Sequence, residues 1–289
     1  MIDVSVFQKD DIRSTDLVLS VFRSVDNYKI IDTGAENARC LLCFAGNLIY
    51  YPNEENAFRK SILEEDRFEY ENITSDKKIR NHFGRIIYFR DVYKQWYMSG
   101  LNKDYDSLDK FLSLLAELTK GYEVYTMGNS AGGFMAMLAG CYLHAKCVYS
   151  FSGQFDLWHV LDAEPVLSAY KEDESFHKYY NLQSLLEESQ TVVYYFQPAQ
   201  CKIDVKQYAY VQDIKNVIRI PFATDQHGAS INSASYKYVL TMADCKKDKL
   251  FRKIASKGKM VSHVSFMFMA AGVIKASMEV IKKSIGKSK

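Results

Sequence analysis

The stretch Tyr125-Thr126-Met127-Gly128-Asn129-Ser130-Ala131-Gly132-Gly133 sets a serine between two glycines where an apolar strand pattern gives way to an apolar helix pattern. Glu123 to Met127 reads as a short buried strand, and Ala131 to His144 as a small-residue helix able to pack closely on a sheet. A serine on so sharp a turn needs residues without side chains two before and two after it, because Cβ atoms there would collide. The segment therefore predicts a nucleophile elbow with Ser130 as the attacking group. The flanking strand and helix carry more of this reading than the motif itself, which is short enough to arise by chance.

Outward from the elbow, apolar strand patterns at Tyr28 to Asp32, Arg39 to Phe44, Arg85 to Phe89, Lys146 to Phe151, Thr191 to Phe196 and Val217 to Phe222 alternate with helical stretches. Asp104 to Leu118 is one such stretch, with Leu108, Phe111, Leu112, Leu115 and Leu118 at helical spacing. The alternation predicts an α/β fold, a mostly parallel sheet covered on both faces, with room for antiparallel edge strands before residue 38. There are no internal repeats, and four prolines give no obvious linker, so one domain is expected across residues 1–289.

The glycine-flanked serine within this alternation resembles the α/β-hydrolase superfamily, whose triad follows in the order Ser, Asp or Glu, His. The resemblance implies a base just past the last core strand, where Ala223-Thr224-Asp225-Gln226-His227-Gly228 follows Phe222, and so implies His227. His144 closes the helix after the elbow, and His82, His159, His177 and His263 have no comparable setting. For the acid, the loop after Phe196 offers Asp204, whose alternative role is to cap a helix from Val205 to Ile214. Asp156 is the reserve, Asp225 lies awkwardly close to His227, and Asp213 falls late in that helix. The oxyanion hole is expected from the Ala131 N–H and from Gly46 or Asn47 after Phe44; only one glycine stands where the family often has three.

The interval from about 155 to 190 is too long for one helix and rich in charge and aromatic rings, and the resemblance implies a lid or cap insertion there, including Trp158. Trp96 and Tyr97, after the strand ending at Phe89, are candidates to line a substrate pocket or simply to pack. Tyrosine is abundant at 21 residues, which suits sugar surfaces but also follows from a biased composition. The arrangement further resembles, more diffusely, acyl-transfer proteins of bacterial surface-polysaccharide synthesis.

Composition narrows the remaining classes. With 48% hydrophobic and 25% charged residues the chain can bury a large core, and a formal net charge of +2 gives no reason to expect a nucleic-acid partner. The basic C-terminal end reads as a solvated face. Six cysteines show no disulfide framework, and Cys40 and Cys43, three apart in a strand, point to opposite faces, which argues against a metal or redox pair. No secretory signal is read, and Val264 to Ile274 is too short to span a bilayer and reads as a buried helix, so a cytoplasmic location is expected. The expectation is a serine esterase working through Ser130, His227 and Asp204 on a small-molecule or glycan ester, without cofactor or metal. An O-acyltransferase would use the same residues with a sugar hydroxyl as acceptor, and a degenerate binding scaffold is the alternative of a different class.

Overall fold

The structure, a computed structural model, describes residues 11–158, 160, 174–228, 231 and 233–272. Seven strands form one sheet in the order β1-β3-β2-β4-β5-β6-β7. They are β1 Tyr28–Asp32, β2 Arg39–Phe44, β3 Arg85–Phe89, β4 Glu123–Asn129, β5 Cys147–Phe151, β6 Val192–Pro198 and β7 Val217–Phe222. Only the edge strand β1 is antiparallel, and every other pairing is parallel. Strands buried on both sides read as continuous apolar runs, which is why RCLLCF, CVYSF and VVYYFQP were recognisable without alternation.

The longer helices are α1 Asp16–Ser24, α2 Leu108–Leu118, α3 Ala131–Tyr142, α4 Glu174–Tyr180, α5 Lys202–Ala209, α6 Ser233–Thr241, α7 Asp244–Lys257 and α8 His263–Ala271. One face of the sheet packs against α2 and α3 through Leu42, Phe44, Val148 and Val193, with Phe111, Leu115, Phe134 and Met137 opposite. The other face packs Leu41, Tyr125, Tyr149 and Phe196 against Val239 of α6, Phe251 of α7 and Phe266 of α8. Cys40 and Cys43 are buried on opposite faces, as their spacing in β2 requires.

Two helix starts and the burial of one helix differ from expectation. The α2 helix starts at Leu108 because Ser107 takes the cap, its hydroxyl accepting from the Lys110 N–H at 3.3 Å. The helix after β6 begins earlier than Val205, with Cys201 at the cap, so Asp204 lies in the first turn of α5 and does not precede it. The α8 helix is a surface element: Phe266 is buried, but Val264 and Phe268 are 60% and 41% exposed. Of the expected insertion, residues 159 and 161–173 lie outside the described residues. Its two flanks meet, with the Leu157 N–H on Tyr180 O at 2.6 Å and the Leu182 N–H on Phe155 O at 2.9 Å.

Candidate active site

The elbow is enforced by backbone crowding. Ser130 sits at φ 53°, ψ −119°, a conformation that costs an ordinary residue about 1–3 kcal/mol and persists only where surroundings over-determine it. A Cβ on Gly128 would lie 2.1 Å from Gly132 O, and one on Gly132 would lie 2.1 Å from Phe44 O. Three backbones therefore meet where side chains cannot fit, and α3 starts directly at Ala131, whose first-turn N–H groups face the serine end.

His227 reaches this serine from the loop after β7. Its Nε2 lies 2.8 Å from Ser130 Oγ and its Nδ1 2.9 Å from Asp204 Oδ2. Asp204 is 1% exposed in its side chain and His227 33%, so the relay runs from a dry carboxylate to a ring open at one edge. Asp204 is held through its own backbone: Gln197 Nε2 donates to Asp204 O at 2.9 Å, and Arg219 Nε donates to Gln197 Oε1. The two carrying loops are tied together, the Gln200 N–H donating to Thr224 O at 3.0 Å and the Ala199 N–H to Phe222 O at 2.9 Å. The Gly228 N–H, at φ 80°, donates to Ser152 Oγ at 3.2 Å, which fixes the turn after His227.

With both ring nitrogens of His227 engaged, the reserve acid Asp156 is occupied elsewhere. Its Oδ2 accepts from Asn181 Nδ2 at 2.6 Å, and its backbone N–H donates to Gln207. Asp225 is exposed in the loop.

Of the oxyanion candidates, the Ala131 N–H stands at the start of α3, while the Gly46 N–H already donates to Glu69 Oε2 at 2.7 Å. That leaves Asn47 as the member of the pair without such a carboxylate on it. Burial pushes the Glu69 carboxyl above its usual 4.5, with the Gly46 N–H and Arg67 pulling it back down. Glu69 lies 23 residues from Gly46 with no local pattern to mark it, and sequence reasoning missed it.

The three aromatic candidates separate. Tyr97 is wholly buried, its hydroxyl donating to Ala45 O at 2.9 Å, so it braces the loop after β2. Trp96 is 3% exposed and reaches the site indirectly: its Nε1–H donates to Gln154 Oε1 at 3.0 Å, and Gln154 Nε2 lies 3.4 Å from Ser130 Oγ. An indole is a donor only, so it selects the Gln154 amide orientation that turns the NH2 toward the serine. Trp158 is partly exposed and packs edge-on to Tyr180 with ring centroids 4.8 Å apart. The segment carrying Trp96 and Tyr97 is organised by Asp91, whose carboxylate accepts from the N–H groups of Tyr93, Gln95 and Tyr97. Gln154 too went unnoticed in the sequence, since its role depends on a tryptophan 58 residues away.

A parallel sheet with one reversed edge strand, a glycine-walled serine elbow after β4, and loops after β6 and β7 converging on it define the α/β-hydrolase fold. No family model and no curated protein matches the chain. Similar solved structures include 2,6-dihydroxy-pseudo-oxynicotine hydrolase, at 15% identity and TM-score 0.49 over 81% of this chain and 66% of that one, just under two thirds of its length. Others are the capsule O-acetyltransferase of Neisseria meningitidis serogroup A, at 12% identity and TM-score 0.48 over 68% of this chain and 83% of that one, and S-formylglutathione hydrolase of Staphylococcus aureus, at 12% identity and TM-score 0.46 over 77% and 85%. The fold rests on the strand order and the elbow, and these likenesses add nothing about chemistry. Among the described residues, no helix is long and apolar enough to cross a membrane.

Proposed function

We propose that the protein is a serine-dependent acyl-ester hydrolase in which Ser130 is the nucleophile, His227 the general base and Asp204 the orienting acid. The observation that carries this reading is the continuous relay of 2.9 Å and 2.8 Å from Asp204 through both nitrogens of one imidazole to a serine held at positive φ. With the Nδ1 proton on the Asp204 side, Nε2 presents a lone pair to the serine hydroxyl. Ser130 Oγ then attacks an ester carbonyl as His227 takes its proton, and the carbonyl oxygen becomes an oxyanion. That charge develops against the Ala131 N–H, aided by the start of α3, and against a donor from Asn47. His227 returns the proton to the leaving alcohol, an acyl group stays on Ser130, and water activated by the same Nε2 releases it. The 33% exposure of the His227 side chain gives that water a route to Nε2.

Residues 155–190 are read as an insertion at the rim of this site, supported by the pairing of its two flanks next to Gln154. The test is turnover of short p-nitrophenyl esters. Ser130→Ala should retain the circular-dichroism spectrum and lose about 10⁴-fold or more in kcat. Wild-type turnover in that variant overturns the assignment.

A further inference from the structure

We propose that Cys201, Asp204 and His227 together bind a thiophilic divalent cation, zinc or cadmium, and that its binding switches off the serine chemistry. One ligand atom from each of the three side chains lies within 4.8 Å of the other two. Two come from one turn, Cys201 capping α5 and Asp204 standing in its first turn, and the third from the loop that Gln200 N–H ties to Thr224 O. Cys201 and Asp204 are buried and His227 is 33% exposed in its side chain, so the three ligands combine a dry pair with one side chain that meets solvent.

Sulfur, imidazole and carboxylate are the donors of zinc sites, and the thiolate disfavours magnesium and calcium. Around a tetrahedral zinc, neighbouring ligand atoms stand about 3.3–3.6 Å apart. The Asp204 to His227 separation of 2.9 Å must therefore open slightly and the cysteine must close in, both within side-chain reach. Burial, with the Asp204 carboxylate beside it, pushes the Cys201 thiol above its usual 9.0, and the N–H groups of Asp204 and Ile203 pull it only part of the way back, so it is the cation's own charge that must take the thiol proton.

The proton balance explains the inhibition. Before binding, Nδ1 carries the imidazole proton and Nε2 has the lone pair. A cation on Nδ1 uses the lone pair there, so the neutral ring must carry its proton on Nε2. That nitrogen then faces Ser130 as a donor and cannot take the hydroxyl proton. The Cys201 thiol loses its proton to solvent, giving one proton released per cation bound. Binding itself does not depend on the proposed function; the inhibition does.

The experiment titrates cadmium into the full chain while reading the thiolate-to-cadmium ultraviolet band and proton release, with zinc titrated against ester turnover in parallel. The expected result is a band in wild type and in Cys245→Ser, which removes the exposed thiol, and none in Cys201→Ser. His227→Ala should weaken the band, which keeps the test decisive if Cys201→Ser does not fold. Zinc inhibition, measured against each variant's own metal-free rate and reversed by EDTA, should need at least about tenfold more zinc in Cys201→Ser. No band in wild type, a band that survives Cys201→Ser, or equal zinc sensitivity in both proteins overturns the proposal. If the wild type turns over no ester, the band and the proton count still decide the site, and only the hydrolase reading falls.

Discussion

The elbow after β4 and the loop after β2 sit side by side, and they are built in opposite ways. The elbow is defined by what cannot be present: added Cβ atoms at Gly128 and Gly132 would lie 2.1 Å from neighbouring backbone oxygens. The loop after β2 is crowded at one point, where a Cβ on Gly46 would lie 2.7 Å from Asn129 O, but it is held mainly by partners: the Gly46 N–H on Glu69, and the Tyr97 hydroxyl on Ala45 O. A steric requirement leaves a local trace in sequence, since only glycine satisfies it. A tether from a residue far along the chain leaves none.

The largest expected effect falls on the elbow. Gly132→Ala drives a methyl into Phe44 O, which only a shift of the main chain relieves, at a cost of about 3 kcal/mol or more. Chemical denaturation should show that loss together with loss of turnover. A variant of unchanged stability would mean that the elbow is softer than its contacts imply.

A smaller effect is expected in the tethered loop. Glu69→Ala removes the acceptor from a buried N–H and should cost about 1–3 kcal/mol, whereas Glu69→Gln keeps an acceptor and should cost less. Because burial raises the Glu69 pKa above 4.5, the stability it contributes is greatest at acid pH and is lost as pH rises through the raised value. Wild type should therefore lose stability relative to Glu69→Gln as pH climbs from 4.5, read by melting temperature across pH; parallel curves would show that the carboxylate is not confined.

The effect that is smallest near neutral pH lies at the other end of β2, away from both regions. Burial first, and then Arg39 beside it with Nη1 2.9 Å from Nε2, lower the His82 pKa from 6.5 to about 4. A lowered base keeps its stabilising contribution above 6.5 and loses it as pH falls toward 4. His82→Gln should flatten the stability profile in that window while leaving ester turnover near neutral pH intact; an unchanged profile would contradict the assignment.

The same contrast explains what was legible in the sequence. The parallel strands appeared as apolar runs because a parallel strand is buried on both faces, whereas the antiparallel edge strand β1, YKIID, is partly or fully open to solvent along its length and carries a weaker signal. Ser130, Asp204 and His227 were nameable from chain order, and the structure brings them within hydrogen-bond distance. Glu69 and Gln154 were not, because the partners that give them meaning, Gly46 and Trp96, are set by tertiary packing. Tyr97 stayed open between lining a pocket and packing for a related reason: an aromatic ring after a strand reads alike whether it faces a ligand or supports the loop behind it, and its hydroxyl lies on Ala45 O of that loop.

The central claim is that His227 activates Ser130 on an intact Asp204 relay, and labelling with a fluorophosphonate followed by mass-spectrometric mapping tests it most directly. A single stoichiometric adduct on Ser130 is expected in the wild type, and none in a folded His227→Ala variant. A folded wild-type protein that takes no label, or takes it on a residue other than Ser130, would contradict it.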